Sequence, residues 1–212
     1  MPTQVKICGL STPETLDAAI RLGASHVGFV HFPKSPRHLP LDRLAALRAS
    51  VPGHVRAVLL LVDPDGEAVA EAVARVRPDI VQLHGAESPA ALSAWKTRHG
   101  GEWWKAVPVR TRADLAAARQ WRGAADLLLY DAKPPPGAAL PGGNGLRFDW
   151  ELLRGFAHPL PWALSGGLDA GNVAEAIRVT GAPLVDVSSG VESAPGIKDM
   201  DRMAAFLKAA AR

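Results

Sequence analysis

The sequence predicts one α/β domain, a single (β/α)8 barrel of the TIM-barrel class spanning residues 1–212. Two observations indicate it: short β-rich runs alternate with alanine-rich helical runs, and eight such units fit within 212 residues. An open doubly wound sheet would show the same alternation. The regular eightfold repeat, and the absence of a GxGxxG motif after the first strand, favour the closed barrel. No linker or change in composition indicates a second domain.

Eight short runs have the composition of strands in a parallel sheet. Several are almost continuously apolar, such as Ala57–Val62 and Leu127–Leu129, as expected where a sheet is covered on both faces. In chain order the predicted strands are Gln4–Cys8, His26–His31, Arg56–Val62, Ile80–His84, Trp103–Val107, Asp126–Asp131, Trp162–Ser165 and Leu184–Ser188.

The runs between the strands predict eight helices, several with recognisable starts. Thr12-Pro13 and Ser88-Pro89 place a capping side chain before a proline in the first turn. Thr111-Arg112-Ala113-Asp114 has the spacing of a capping box. The final helix is predicted from about Asp199 to the C-terminus. The stretch Lys133–Gly145 (KPPPGAALPGGNG) is too rich in proline and glycine for a helix, and it predicts a long loop after the sixth strand.

Composition and charge exclude several classes of protein. The chain is 48% hydrophobic and 21% charged, with one cysteine and a net charge of +3. One cysteine cannot form an internal disulfide, and no Cys–His cluster has the spacing of a structural zinc site. No apolar run approaches the roughly 18 residues that cross a bilayer, and no signal-peptide pattern is seen. From these features we expect no membrane partner and a reducing, cytoplasmic location. Because lysine and arginine are scattered, we expect no nucleic-acid partner.

Reactive residues and glycines collect at the carboxyl ends of the predicted strands, where barrels of this class carry their active sites. Cys8 ends the first strand and Asp131 the sixth. Gly166-Gly167 follows the seventh strand, and Ser188-Ser189-Gly190 follows the eighth. Free backbone N–H groups in such loops bind anions, and glycine allows close approach. The two loops together predict a phosphate site, although either motif alone is more often a plain turn.

Seven segments, in order and over the whole chain, resemble the phosphoribosylanthranilate isomerase family of tryptophan biosynthesis. They are KICGL (6–10), GFVHFPKSPRHL (28–39), VQLHGAES (81–88), LLLYDAK (127–133), GGNGLRFDW (142–150), ALSGGLDAGNV (163–173) and VDVSSGVESAPGIKD (185–199). The resemblance implies an isomerase without metal or cofactor. Its small phosphorylated substrate would be N-(5'-phosphoribosyl)anthranilate, converted to 1-(2-carboxyphenylamino)-1-deoxyribulose 5-phosphate by an Amadori rearrangement.

The resemblance also implies catalytic roles. Asp131 becomes the general acid at the ribose ring oxygen, and Cys8 the general base at C2'. Asp131 must then hold a proton to donate, and Cys8 must be a thiolate, although the pKa of a free cysteine is about 8.5. Side chains two apart on a strand share a face, so Lys6 is expected to point into the barrel with Cys8, roughly one layer deeper, and to lower the pKa of its thiol. Without this context, a cysteine in an apolar strand is more often structural.

Substrate contacts are expected from Lys6, Arg37, His84 and Asp186. By resemblance, Arg37 holds the anthranilate carboxylate, which suits a planar guanidinium. The sequence leaves His84 open between substrate contact and packing. It leaves Asp186 open between orienting substrate hydroxyls and bonding within the barrel, and the assembly open between monomer and homodimer.

Two other functions fit parts of the pattern. A phosphoribosyl-sugar isomerase of the histidine pathway would share the barrel, but that family has a carboxylate where this chain has Cys8. A non-catalytic barrel that binds phosphorylated ligands would keep the phosphate loops without an acid–base pair. Two local features depart from the resembled family: His31 replaces an apolar or aromatic residue that is expected to shape the pocket wall, and GGNGLR (142–147) replaces a GGTGKT-like sequence.

Overall fold

The fold is a closed barrel of eight parallel strands, as predicted. The computed structural model describes residues 2–135, 137–138, 140–143 and 145–211. The strands follow one another around the barrel in chain order, and the first pairs with the eighth. They are β1 Gln4–Cys8, β2 His26–His31, β3 Arg56–Leu61, β4 Ile80–Leu83, β5 Glu102–Val109, β6 Leu127–Ala132, β7 Trp162–Leu164 and β8 Leu184–Val187.

Four strands end one residue earlier than the sequence predicts. Val62, His84, Ser165 and Ser188 each follow the last residue of their strand. All four line the same pocket at the carboxyl ends of the strands. The chain therefore leaves the sheet where its side chains begin to form the mouth of the barrel.

Seven α-helices lie in the described part of the chain, one fewer than predicted. They are α1 Pro13–Arg21, α2 Leu41–Ala49, α3 Gly66–Val76, α4 Pro89–His99, α5 Arg112–Ala117, α6 Val173–Thr180 and α7 Met200–Ala210. Between β6 and β7 the described residues contain instead one 3-10 turn, Trp150–Leu153. The proline and glycine content of 133–145 accounts for the missing helix, since neither residue favours a helix interior. Within that predicted loop, Pro136, Ala139 and Asn144 lie outside the described residues, as do Met1 and Arg212 at the ends of the predicted domain.

The predicted helix starts are confirmed. Thr12 caps α1 and Ser88 caps α4, and each is followed by proline. Thr111 and Asp114 form the capping box of α5 in both directions. These local hydrogen bonds fix where each helix leaves the barrel wall.

A short antiparallel hairpin that the sequence analysis missed follows β8. It consists of β9 Glu192–Ala194 and β10 Ile197–Lys198. Strands of three and two residues are too short to show a period-two pattern. The hairpin matters because both of its outermost residues, Glu192 and Lys198, are buried beside the barrel mouth.

The barrel interior is apolar at its amino-terminal end and polar at its carboxyl-terminal end. Trp104, Ile80 and Leu127 belong to an apolar cluster from the first halves of the strands. The larger core lies between the barrel and its surrounding helices and includes Trp103 and Phe206. Among the described residues, no helix has the length and apolar character needed to cross a membrane.

Candidate active site

The carboxyl ends of the strands surround one pocket that collects most of the predicted site residues. Loops after β2, β6, β7 and β8 complete its wall. The predicted residues that line it are Cys8, Arg37, His84, Asp131, Gly166, Gly167, Asp186, Ser188 and Ser189.

Cys8 lies at the floor of this pocket, at the end of β1, and is 4% exposed. Gly28 of β2 is its register partner, and a Cβ atom there would lie 3.0 Å from the Cys8 Sγ atom. The absence of a side chain at position 28 therefore makes the space for the thiol. Burial raises the pKa of Cys8 above its usual value, while the Lys6 ammonium opposes that rise. The Lys6 ammonium thus acts in the predicted direction, but in the free protein burial outweighs it and the pKa of the thiol lies above its usual value.

Lys6 lies beneath the pocket and does not line it. Its ammonium is wholly buried and donates to Asp186 Oδ1 at 2.8 Å. Parallel pairing of β1 with β8 puts these two residues side by side. Burial alone would lower the pKa of Lys6, but the Asp186 carboxylate holds it above its usual value. The position of Lys6 therefore does not support direct substrate contact. Asp186 does reach the pocket, and its other oxygen accepts from Ser165 Oγ at 3.2 Å.

Asp131 and His84 form the opposite side of the pocket. His84 Nε2 lies 3.1 Å from Asp131 Oδ2, and the other Asp131 oxygen accepts from the Ala132 N–H at 2.8 Å. The Gln82 amide nitrogen lies 3.4 Å from His84 Nδ1. With that amide donating to Nδ1, a neutral His84 carries its proton on Nε2, where it faces Asp131. The imidazole therefore lies within hydrogen-bonding distance of the Asp131 carboxyl group.

Arg37 is held by a residue to which the sequence analysis gave no role. Its Nε and Nη2 donate to the two oxygens of Glu192 at 2.7 and 2.8 Å. Lys198 donates to Glu192 Oε1 at 2.6 Å. Burial alone would raise the pKa of Glu192, but hydrogen bonding to Arg37 and the charge of Lys198 hold it below its usual range. Glu192 and Lys198 both lie in the motif segment 185–199, which marks them as candidates but does not indicate their contact with Arg37.

The loops after β7 and β8 occupy adjacent parts of the pocket wall. Gly166 and Gly167 both have positive φ, at 91° and 62°, which glycine adopts without strain. Ser188 Oγ donates to the Cys8 carbonyl oxygen at 3.1 Å and so ties the β8 loop to β1. Gly190 does not line the pocket; a Cβ atom there would meet the Leu168 carbonyl oxygen at 1.9 Å, so it permits close packing of the two loops.

His31 does not change the pocket wall in the way its substitution suggests. Its Nδ1 lies 2.9 Å from the Leu39 carbonyl oxygen, outside the pocket, and the wall is formed by Val30 and Phe32. Within the described residues, no group of three or more His, Cys, Asp and Glu side chains is arranged to hold a metal ion.

Comparison with known proteins identifies the family. Residues 5–209 match the family model described as N-(5'phosphoribosyl)anthranilate (PRA) isomerase. A relative of that name from Erythrobacter litoralis is 54% identical over 208 residues, covering 98% of each chain.

Two solved structures, each covering 98% of both chains, have the same fold. Monomers of the dimeric phosphoribosylanthranilate isomerase from Thermotoga maritima are 33% identical, with a TM-score of 0.84. A phosphoribosylanthranilate isomerase in complex with reduced 1-(o-carboxyphenylamino)-1-deoxyribulose 5-phosphate is 32% identical, with a TM-score of 0.86. The chain therefore belongs to the N-(5'-phosphoribosyl)anthranilate isomerase family and is an isomerase of tryptophan biosynthesis, as its motifs predict.

Proposed function

We propose that Cys8 and Asp131 are the base and the acid of the Amadori rearrangement of N-(5'-phosphoribosyl)anthranilate. The observation that carries the proposal is that two residues on different strands, β1 and β6, line one pocket. That pocket also contains a buried guanidinium and the two glycine- and serine-containing loops. An acid, a base and anion-binding groups are what an isomerase of a phosphorylated aminoaldose needs.

In the proposed mechanism, Asp131 protonates the ribose ring oxygen and the C1'–O bond breaks, which opens the ring to an imine. Cys8 then removes the C2' proton, and the resulting enolamine tautomerises to the aminoketone. For this step Asp131 carries its own proton, and His84 Nε2 lies 3.1 Å from its Oδ2 atom. His84, in the pocket wall, thus helps to orient the Asp131 carboxyl group.

Cys8 must lose its proton although burial raises the pKa of its thiol in the free protein. We propose that the thiol releases its proton to solvent once substrate is bound, so that the thiolate forms in the substrate complex. The cationic imine formed on ring opening adds a positive charge to those of Lys6 and Lys198, which both lower the pKa of Cys8. The free enzyme therefore keeps a neutral thiol, and the substrate activates it.

Binding roles follow from the same pocket. Arg37 would hold the anthranilate carboxylate, and Asp186 would orient the ribose hydroxyls. The phosphate would lie against the N–H groups of the β7 and β8 loops, at Gly166, Gly167, Ser188, Ser189 and, through its packing, Gly190.

The test is the fluorescence of phosphoribosylanthranilate generated in situ, which disappears on turnover. Cys8→Ser and Asp131→Asn should each lower kcat by about 10²- to 10⁴-fold, the usual contribution of a general acid or base. Asp17→Asn, in an exposed pair with Arg21, is the control and should leave turnover unchanged. Near-normal turnover by both pocket variants, with circular dichroism showing intact folds, would contradict the proposed mechanism.

Location and assembly are the remaining parts of the proposal. We place the enzyme in the cytoplasm, where tryptophan biosynthesis would supply its phosphorylated substrate, and we propose no nucleic-acid partner. Cell fractionation tests the location. The Thermotoga maritima relative is described as dimeric; analytical ultracentrifugation of this chain decides between the monomer and the homodimer.

A further inference from the structure

Resting on the proposed role of Arg37, we infer that Glu192 is a positioning residue. It fixes the Arg37 guanidinium in the orientation that receives the anthranilate carboxylate. The β9–β10 hairpin, which supplies both Glu192 and Lys198, is the element that carries this function.

Glu192 holds one edge of the guanidinium and leaves the other edge available. It takes the Arg37 Nε and Nη2 groups in a two-point contact, with distances of 2.7 and 2.8 Å. Nη2 also lies 3.5 Å from the Gly143 carbonyl oxygen. Among the described residues, no hydrogen bond engages Nη1, and Arg37 lines the pocket. Because a guanidinium is planar, fixing one edge fixes the direction in which the free N–H groups point.

The charges of this cluster do not cancel. Arg37 and Lys198 carry two positive charges against the single carboxylate of Glu192, and the three side chains are 7% exposed or less. Lys6, the other buried lysine near Cys8, already has Asp186 as its partner. A buried cluster with one excess positive charge favours an anion in the adjoining pocket. The anthranilate carboxylate supplies that anion.

Lys198 connects the Arg37–Glu192 pair to the rest of the site. Besides Glu192, its ammonium donates to the Ser188 carbonyl oxygen at 3.0 Å and to Ser188 Oγ at 3.3 Å. Ser188 Oγ in turn donates to the Cys8 carbonyl oxygen at 3.1 Å. The Arg37–Glu192 pair, the loop after β8 and strand β1, which carries Cys8, are therefore joined by one chain of hydrogen bonds. A shift of Glu192 would move the anthranilate end of the substrate relative to its phosphate.

The test compares two ligands on the same variants by calorimetry. One is the reduced product analogue 1-(2-carboxyphenylamino)-1-deoxyribitol 5-phosphate, and the other is its counterpart without the carboxylate. Glu192→Gln removes the ionic two-point contact, so it should weaken the carboxylated ligand by about tenfold, as expected for losing a charged hydrogen bond. The ligand without the carboxylate should change less than about twofold. Glu192→Asp keeps the charge but shortens the side chain, and it should show a smaller loss of the same kind.

Glu87→Gln is the matched control, since Glu87 is 2% exposed in its side chain and pairs with Lys105 at 2.8 Å without lining the pocket. It should change both affinities equally. Equal weakening of both ligands by Glu192→Gln and Glu192→Asp, or no weakening at all, would overturn the inference.

The proposed role of Arg37 is tested separately. The wild type should prefer the carboxylated ligand, and Arg37→Ala should abolish that preference. If the wild type shows no preference, the role of Arg37 fails and the inference with it. If Arg37→Ala removes the preference but both Glu192 variants keep it, only the inference about Glu192 fails.

Discussion

The two ends of the barrel interior differ in how they hold polar groups. At the amino-terminal end, Trp104 and its apolar neighbours fill the barrel, and His26 packs its ring 5.3 Å from that of Trp104. At the carboxyl-terminal end, the Lys6–Asp186 and Arg37–Glu192 pairs are buried around Cys8. Burying charge is costly even when it is paired, whereas burying apolar surface is favourable. The amino-terminal end therefore stabilises the fold. The carboxyl-terminal end lowers the stability of the fold, because it keeps charged side chains buried around the candidate site.

Trp104→Ala should lower the free energy of unfolding by removing the largest side chain of the amino-terminal end of the barrel. Trp104 is 1% exposed, and truncating a buried tryptophan typically costs about 3–5 kcal/mol. Urea unfolding should show this loss, while the variant that remains folded keeps its kcat. A large fall in kcat with an unchanged unfolding free energy would mean that the two ends are not separable in this way.

Lys6→Met should destabilise the protein by about 3 kcal/mol, because it leaves the Asp186 carboxylate buried without its cation. It should also raise the pKa of Cys8, since the Lys6 ammonium lowers it. The pH profile of thiol alkylation would then move to higher pH. Lys6→Met combined with Asp186→Asn should recover much of the stability but not the alkylation profile. An unmoved profile in Lys6→Met would contradict any effect of Lys6 on the thiol.

His26 should make the amino-terminal end sensitive to acid. Burial is the main cause that lowers its pKa from 6.5 to about 4. Between these values the unfolded chain binds a proton that the folded chain does not, so the unfolding free energy falls as the pH drops from 6.5 towards 4. The loss is at most about 3 kcal/mol. His26→Asn should flatten this part of the pH–stability curve, whereas His54→Asn, at an exposed position, should leave it unchanged.

Cys8→Ala should have the smallest effect on stability, about 1 kcal/mol, because it removes one sulfur from a small cluster with Val30 and Leu60. Turnover should nevertheless be lost. A variant with near-native unfolding and no activity would show most directly that the mouth serves the reaction and not the fold. Retained turnover would contradict the assignment of Cys8 as the base.

Most of the barrel could be predicted because its evidence is local. Apolar runs of strand length, and caps such as Thr12 and Ser88, act within a few residues of one another. The missing helix after β6 could also have been anticipated, since Lys133–Gly145 was already predicted to be a loop. The β9–β10 hairpin could not, because strands of two and three residues carry no periodic signal.

The grouping of the candidate site residues was predicted better than their interactions. Cys8, Asp131 and Arg37 line one pocket, but Glu192 holds Arg37 across 155 residues of sequence, and no local pattern indicates that contact. The state of the Cys8 thiol was missed for a different reason. Burial and the Asp186 carboxylate raise its pKa, whereas the Lys6 and Lys198 ammonium groups lower it. Spacing along β1 indicates only the effect of Lys6.

The pairing of β1 with β8 has a consequence for synthesis of the chain. Lys6 and Asp186 meet across 180 residues, at the seam that closes the barrel. Because β1 is synthesised before β8, Lys6 lacks its partner until β8 has been added to the chain. A nascent or truncated chain that stops before β8 has neither the seam nor the hairpin beyond it. The pocket therefore forms only when both the first and the eighth strands are in place.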